Sequence, residues 1–572
     1  MFISTVICNL ILIVFFCIDG TSDWAVEVYQ EEAIIENESF IFMEHAASGS
    51  YEVKTVDYGM EKTNTIKSAT VDLSDYIGGY NFARQIVRDT YFGYSMREVP
   101  LVGQVWYPSE KKNCPVVFVV HGNHTAITKS YMGYAYLGEH LASQGYVVVS
   151  IDENSCNYYI DQGLDDENDA RAVLLLEHLK QLELYNEEKG NPLFQTMDYD
   201  NIALVGHSRG GEAVSIATYF NQLNYNPEQP MHTFDYHFNI KSVVAIAPTS
   251  GQYQLPKGKI ELEDVNYLLI QGANDQDVTC FQGIREYNNV TYSKKDDYFK
   301  SYLYIYGANH GQFNTEWGRK DLNDPFSFML NTDSLMSGEK QRLILKGFLS
   351  TFLDVTLEEN KEGKLLFQEY ELFCKQMPDT LYIQGYEDSS FYTVADYETY
   401  RKTEIEQMTK DLKYGKNEKV QFPEDKAFDT NNTGFHIKWN DYQGQYNLTM
   451  TENGLDISQM EVLQFDIMNQ EIFNTEGINC TLMLIDVDGN QASLPLSGYQ
   501  TVTGSLPVAL YKLQTIVGTI EYKQLFQTVR VPLQEFKNEN SILDLSQIKS
   551  IRFVFDRQES GNIMLDNIGF SQ

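Results

Sequence analysis

The chain has 572 residues, long enough for two or three domains with full cores. Its 80 acidic against 43 basic residues give a formal charge of −37, and no Lys/Arg cluster is large enough to follow a phosphate backbone, so nucleic acid is excluded as an expected partner. The same acidity disfavours a strongly anionic substrate, and an ordinary apolar fraction of 43% with abundant Tyr and Phe excludes a disordered chain.

Residues 2–18 form an almost unbroken apolar run that stops at Asp19-Gly20, with small residues at Gly20 and Ser22. This pattern predicts a secretory signal peptide over 1–22, hence a secreted or cell-surface protein; an uncleaved N-terminal anchor is the alternative. No other segment is long and apolar enough to be expected in a bilayer, so no membrane contact is expected beyond the leader. Without the leader, Cys114, Cys156, Cys280, Cys374 and Cys480 remain; they are odd in number and widely spaced, so no disulfide framework is expected.

Residues 23–50 are acidic and weakly patterned, either an ordered extension of the domain that follows or a mobile lead-in to it. Alternation predicts strands at 51–56 and 99–107, the second ended by Pro108, with an insertion between them. A regular α/β rhythm then sets in: strand 116–120, helix 131–143, strand 146–151, helix 168–184, strand 202–205, helix 212–223, strands 242–247, 267–270 and 302–306, and a closing helix 339–357. Continuous apolar strands with helices between them predict a mostly parallel sheet covered on both faces, over 23–357. Residues 358–385 read as a connector. Beyond it the period changes to two, with strands at 462–468, 481–487, 527–533 and 551–556 and a hairpin turn at Asp488-Gly489-Asn490, so 386–572 is expected to be an all-β, jelly-roll-like sandwich.

The chemistry centres on Gly206-His207-Ser208-Arg209-Gly210, between an apolar strand and a helix, where a nucleophile elbow belongs. A serine hydroxyl is a poor nucleophile at neutral pH and needs a base, with a third group to orient that base. In an open parallel sheet such partners collect beyond the carboxyl ends of the strands. The loop after strand 267–270 offers Asp275, with Asp277 as the competing acid, and the loop after strand 302–306 offers His310. The order Ser208, Asp275, His310 is the one an α/β-hydrolase requires. An oxyanion hole needs two aimed backbone N–H groups; Arg209, directly after the nucleophile, and Asn123, in the His121-Gly122-Asn123-His124 loop, are the candidates.

His121, His124 and Trp317 are candidates for contact with the substrate. The HxxH spacing of His121 and His124 lacks a third ligand, so no metal is expected, and nothing calls for a cofactor. Arg209 and Glu212 are placed for a first-turn ion pair. Asp152, Glu153, Asn154 and Asn157, after strand 146–151, lie at the catalytic end, where they would either bond a polar substrate or form a solvated loop. In the tail, Trp439, Tyr442 and Tyr446 offer either a sugar-stacking face or core packing.

Together the elbow, His121-Gly122 after an apolar strand, Gly272-x-x-Asp275 and His310 after the last strand resemble the α/β-hydrolase superfamily, in the branch holding secreted polyester hydrolases, cutinase-like lipases, chlorophyllase-like and dienelactone-hydrolase-like enzymes. The resemblance spans roughly residues 95–357. It implies Ser-His-Asp chemistry on carboxylic esters without metal or organic cofactor. The His121-Gly122-Asn123-His124 loop departs from the polyester-hydrolase pattern, so the resemblance does not extend to a plastic or cutin substrate. The tail, ending Asn562-Ile-Met-Leu-Asp-Asn-Ile-Gly-Phe570, is similar to galactose-binding-like and carbohydrate-binding sandwiches. The expectation is an exported esterase acting on a small-molecule or polymer ester, with a glycan as the further partner of the tail. A peptidase or amidase on the same triad and a non-catalytic glycan-binding protein are the alternatives.

Overall fold

A computed structural model describes residues 9, 14–20, 41–60, 65–77, 82–157, 167–293, 296–398, 405–450, 454–472 and 476–572. Most of the predicted leader lies outside the described residues. Among the described residues, no helix is long and apolar enough to cross a membrane.

The first large unit is a ten-stranded sheet. In chain order its strands are β1 (Val53–Gly59), β2 (Thr65–Lys67), β3 (Gly103–Pro108), β4 (Cys114–Val120), β5 (Val147–Ile151), β6 (Met197–His207), β7 (Ile240–Ile246), β8 (Asn266–Gly272), β9 (Phe299–Ile305) and β10 (Tyr382–Asp388). Across the sheet they run β10-β9-β8-β7-β6-β4-β5-β3-β1-β2. The stretch from β5 to β9 is parallel; β10 at one margin and β3 beside β5 run against it, while β1, antiparallel to β3, and β2, parallel to β1, run with it.

The central strands are buried on both faces, and their side chains divide by parity. Val116, Phe118 and Val120 enter one core with Leu174, Leu175 and Leu179 of α2 (Asn168–Glu187) and Val214 and Ile216 of α3 (Arg209–Phe220). Val117 and Val119 enter the other with Leu137 and Leu141 of α1 (Ala135–Gln144) and Ile344, Phe348 and Phe352 of α4 (Gly338–Leu357). Burial of each such side chain contributes about 1.5–3 kcal/mol, so the apolar runs that mark these strands are also what fixes helices over both faces. The α/β architecture is as the sequence predicts.

Three details differ. The predicted strand 99–107 is broken: Val99–Pro100 pairs with Thr70–Val71, and β3 begins at Gly103. The helix expected from 212 begins at Arg209, because the chain turns at Ser208 itself. Residues 358–385 hold the helix Lys364–Gln368, the 3-10 turn Tyr370–Gln376 and part of β10, which closes the sheet against β9.

The tail forms two facing antiparallel sheets, a β-sandwich as expected. One sheet orders β13 (Tyr414–Lys419), β14 (Thr433–Trp439), β21 (Gly561–Ser571), β16 (Val462–Asn469) and β19 (Gln527–Pro532), with β11 (Tyr392–Ala395) also on β21. The other orders β12 (Ile405–Lys410), β15 (Gly444–Met450), β20 (Ile548–Phe555), β17 (Thr481–Asp486) and β18 (Gln491–Pro495). The predicted hairpin turn is present, with Gly489 at φ 84° and the Asp486 carboxylate accepting from the backbone of Asp488 and Asn490. Trp439 and Tyr446 are core residues, Trp439 stacked on Phe555 at 4.3 Å, while Tyr442 is exposed. The core reading of the first two therefore holds, because alternation turns them inward.

Candidate active site

Ser208 ends β6 and caps α3 with φ 59° and ψ −127°, a conformation that costs a non-glycine residue about 1–3 kcal/mol. The surroundings enforce it. A Cβ on Gly206 would collide with the Gly210 carbonyl, and one on Gly122 would strike the Ser208 side chain. Glycine at these two positions lets the strand, the helix and the loop after β4 close around one serine. Its amide donates to the Ile246 carbonyl (2.9 Å) at the end of β7, which locks the elbow to the neighbouring strand. Arg209 opens α3, and Asn123 follows Gly122 in the loop that touches Ser208.

Asp275 and His310 meet across the loops after β8 and β9. His310 Nδ1 donates to Asp275 Oδ2 at 2.9 Å. The second oxygen, Oδ1, accepts from the amides of Asp277 (2.9 Å) and Val278 (2.7 Å), so the turn itself orients the carboxylate. Asp277, the competing acid, is half-exposed and lies 3.6 Å from the opposite ring nitrogen, His310 Nε2. Among the described residues Nε2 makes no hydrogen bond, including to Ser208 Oγ; such contacts commonly tighten only once substrate is bound. Burial pulls the His310 pKa down, but Asp275, then Asp277 and Asp321, outweigh it and push it up to about 10.

Sequence reasoning missed Asp321. Its Oδ2 accepts from the amides of Gln276 (2.9 Å) and His310 (3.1 Å), and its Oδ1 from the amide of Gly311 (2.7 Å) and from Asn309 Nδ2 (2.6 Å). Asp321 stands in an irregular loop, where no periodicity or motif would single it out.

The aromatic wall is built around Trp317. Its ring lies nearly parallel to His310 (5.9 Å, 11°) and to His124 (5.4 Å, 10°), and its Nε1 donates to Ser130 Oγ at 3.0 Å. His207 packs against both Trp317 (4.6 Å) and His310 (4.8 Å), and bonds Tyr134 OH through Nδ1 at 2.9 Å. Burial holds His207 well below the ordinary histidine range and brings His124 down to about 4, so both rings are neutral. His121 is wholly buried: Nδ1 donates to the Gly122 carbonyl (2.8 Å) and Nε2 accepts from the Glu153 amide (2.8 Å), which leaves neither nitrogen for a substrate. Among the described residues, no three His, Cys, Asp or Glu side chains gather as a metal site.

Behind the elbow runs a buried ionic chain. Arg209 pairs with Glu167, Glu167 lies 3.7 Å from Arg171 Nη2, and Arg171 Nη1 donates to Glu153 Oε2 at 3.0 Å. Arg171 Nη2 also donates to Asn157 Oδ1 at 2.8 Å. Burial, only partly offset by Arg171, pushes Glu153 up to about 8. The predicted Arg209–Glu212 pair is absent: Glu212 is buried and accepts instead from Asn168 Nδ2 (2.8 Å), Thr249 Oγ1 (2.8 Å) and the Tyr253 amide (3.2 Å). Glu153 and Asn157, open to either a substrate or a solvent role in sequence, are interior residues that bind Arg171.

Residues 93–250 match a family model described as PET hydrolase-like, and residues 383–572 match one described as carbohydrate binding domain 30. Both matches agree with the resemblances drawn from the motifs. No curated protein matches the chain.

Proposed function

We propose that the protein is an exported serine hydrolase that cleaves carboxylic esters, with a C-terminal module that holds it on a carbohydrate-bearing substrate. The observation that carries this reading is the 2.9 Å bond from His310 Nδ1 to Asp275 beside a serine at a strained elbow. The matches to PET hydrolase-like and carbohydrate-binding families support the two halves. The apolar leader supports export.

In this reading Ser208 Oγ attacks the acyl carbon while His310 Nε2 takes its proton. Asp275 keeps the other nitrogen protonated and faces the imidazolium charge. The amides of Asn123 and Arg209 stabilise the tetrahedral oxyanion; loss of one such donor typically costs about 10²–10³ in kcat. His310 then returns the proton to the leaving alkoxide, and the cycle repeats with water to release the acid. Trp317 and His124 give the acyl or alcohol group a flat apolar wall.

The test is fluorophosphonate labelling with peptide mapping, beside a panel of short- to long-chain p-nitrophenyl esters and aminoacyl anilides. A label on Ser208 and turnover of esters is the expected result, and Ser208→Ala is expected to abolish both while keeping the wild-type melting temperature. Turnover retained in folded Ser208→Ala would overturn the mechanism, and preference for anilides would convert the reading to an amidase.

A further inference from the structure

We propose that Asp321 is a positioning residue for the triad, fastening the loop that carries Asp275 to the loop that carries His310. The inference rests on the triad reading above but is drawn from a different set of contacts. The two loops are joined at their bases, Asn274 N donating to the Ala308 carbonyl (2.9 Å) and Gly307 N to Asn274 Oδ1 (2.8 Å), but neither bond holds the segments that carry the Asp275 and His310 side chains in register. Asp321 does so through the backbone.

One carboxylate oxygen binds the amide of Gln276, the residue after Asp275, and also the amide of His310 itself. The other binds the amide of Gly311 and the side-chain amide of Asn309, the residues on either side of His310. Four N–H donors from two loops therefore converge on one carboxylate. Asp321 is only partly buried as a residue, yet both oxygens are turned inward to these donors. Neutral side chains fit the site poorly. An amide in place of the carboxylate turns an NH₂ toward one pair of N–H donors whichever way it is flipped: in place of Oδ2 it frees the Gln276 loop, and in place of Oδ1 it frees Gly311 and Asn309 and leaves the His310 loop held by the His310 amide alone. A carboxylate satisfies both pairs, and the hydrogen bonds are charge-assisted.

The position of this group suits its task. Asp321 is a third carboxylate beside His310, after Asp275 and Asp277, set on the backbone side of the ring, where it supports an imidazolium without competing for Nδ1. The other titratable groups around the ring are Asp275 on Nδ1, Asp277 near Nε2, and His207 and His124, which are neutral. Burial, and next the charge of Asp275, raise Asp321 to about 7, while His310 and the Gly311 and Gln276 amides pull it down. The clamp is thus fully charged in the same alkaline range in which His310 becomes a free base.

The decisive experiment uses the full chain labelled with ¹⁵N-histidine, without substrate, in wild type, Asp321→Asn and Asp277→Asn. His310→Gln identifies the His310 signals. Asp321→Asn is expected to broaden or abolish the downfield Nδ1–H resonance of the His310–Asp275 bond and to lower the His310 titration midpoint. It is also expected to reduce kcat on a short ester about 100-fold, the scale of a misplaced catalytic group, with KM changed less than about 2-fold. Asp277→Asn is expected to lower the midpoint while keeping the Nδ1–H resonance, since it removes charge without freeing a loop. An unchanged resonance and midpoint in folded Asp321→Asn overturns the proposal. If that variant does not fold, Asp321→Glu keeps the charge and shifts the oxygens by one methylene; it must show the same loss of signal, and a wild-type signal in it refutes the clamp. A wild type that hydrolyses no ester, with the signal still lost in Asp321→Asn, would defeat the hydrolase reading and leave the positioning role standing.

Discussion

At the scale of single residues, the proposed mechanism makes the imidazole of His310 decide the pH at which the site would work, since it would have to be neutral to accept the Ser208 proton. Burial disfavours its charged form, but three carboxylates at Asp275, Asp277 and Asp321 prevail, so its pKa lies above the ordinary value of roughly 6.5. A base with a raised pKa is titrated to its inactive form as pH falls, so kcat/KM is expected to rise through an alkaline limb and to be low at neutral pH. Asp277 is half-exposed at 3.6 Å from Nε2, so its contribution is screened by salt and dispensable. Asp277→Asn is expected to move the limb downward and raise kcat/KM near pH 7. A pH profile on a short ester, at low and high salt, checks both. A wild-type limb at the ordinary histidine value would contradict the arrangement. Asp275→Asn belongs to the other class: it disturbs the tautomer, and a fall in kcat of about 10⁴ is expected.

At the scale of elements, the ionic chain from Arg209 to Glu153 ties three pieces of the fold: the start of α3, the start of α2 and the segment after β5. Arg171, with Glu153 and Glu167 beside it and no solvent exposure, is its centre. Arg171→Met fills the space but strands the buried Glu153 carboxylate, Glu167 keeping Arg209, and a loss of about 3–5 kcal/mol is expected in urea unfolding. The sign of its pH dependence follows. Glu153 already binds its proton more tightly folded than unfolded, so its contribution falls as pH rises through about 8. Without Arg171 that pKa climbs further, so the variant is expected to be more impaired, relative to wild type, at pH 9 than at pH 6. Equal losses at both would show that Glu153 is not the stranded group.

This chain also marks where sequence reading stops. Continuous apolar runs reveal β4, β5 and β8 because each buries both faces. The elbow is visible because glycine is compulsory beside Ser208. Asp275 and Asp277 both stand in the right loop and the sequence leaves both open; the structure separates them, because the amides of Asp277 and Val278 and His310 Nδ1 all meet the Asp275 carboxylate. By contrast, Arg171, Glu167 and Asp321 act through partners far along the chain or in irregular loops, and no local period encodes such partners. β10 fails for a related reason: Tyr382–Asp388 is buried almost throughout and does not alternate, and its short mixed run of Tyr, Ile, Gln and Gly reads as part of the 358–385 connector.

At the scale of the molecule, the catalytic sheet and the sandwich are not beads on a string. Phe422, Leu506, Val508, Leu510 and Leu525 from the tail enter the same apolar core as Phe118 and Leu174 of the sheet. Polar contacts repeat the pattern: Tyr386 N donates to Thr528 Oγ1 (2.9 Å), Gln464 Nε2 to the Tyr386 carbonyl (3.0 Å), and buried Lys523 to the Thr279 carbonyl (2.6 Å). One contact reaches the site. Gln276, next to Asp275, donates through Nε2 to the carbonyls of Asn331 (2.9 Å) and Leu510 (2.8 Å), so a segment of the tail braces the acid loop. Cores that share side chains cannot unfold independently without exposing them to water, and calorimetry of the full chain is expected to show one cooperative transition rather than two. Gln276→Leu is isosteric enough to fill the space but removes the side-chain donor to both carbonyls, at about 1–3 kcal/mol, while the Leu510 carbonyl keeps the Asn331 amide (2.9 Å). It is expected to lower that single transition and, because the brace ends beside Asp275, to reduce kcat on a soluble ester that carries no carbohydrate. Two separated transitions, with Gln276→Leu fully active on that ester, would mean that the tail serves only to hold the enzyme on its substrate. A single transition with impaired kcat would make the carbohydrate-binding module a structural part of the active site it delivers.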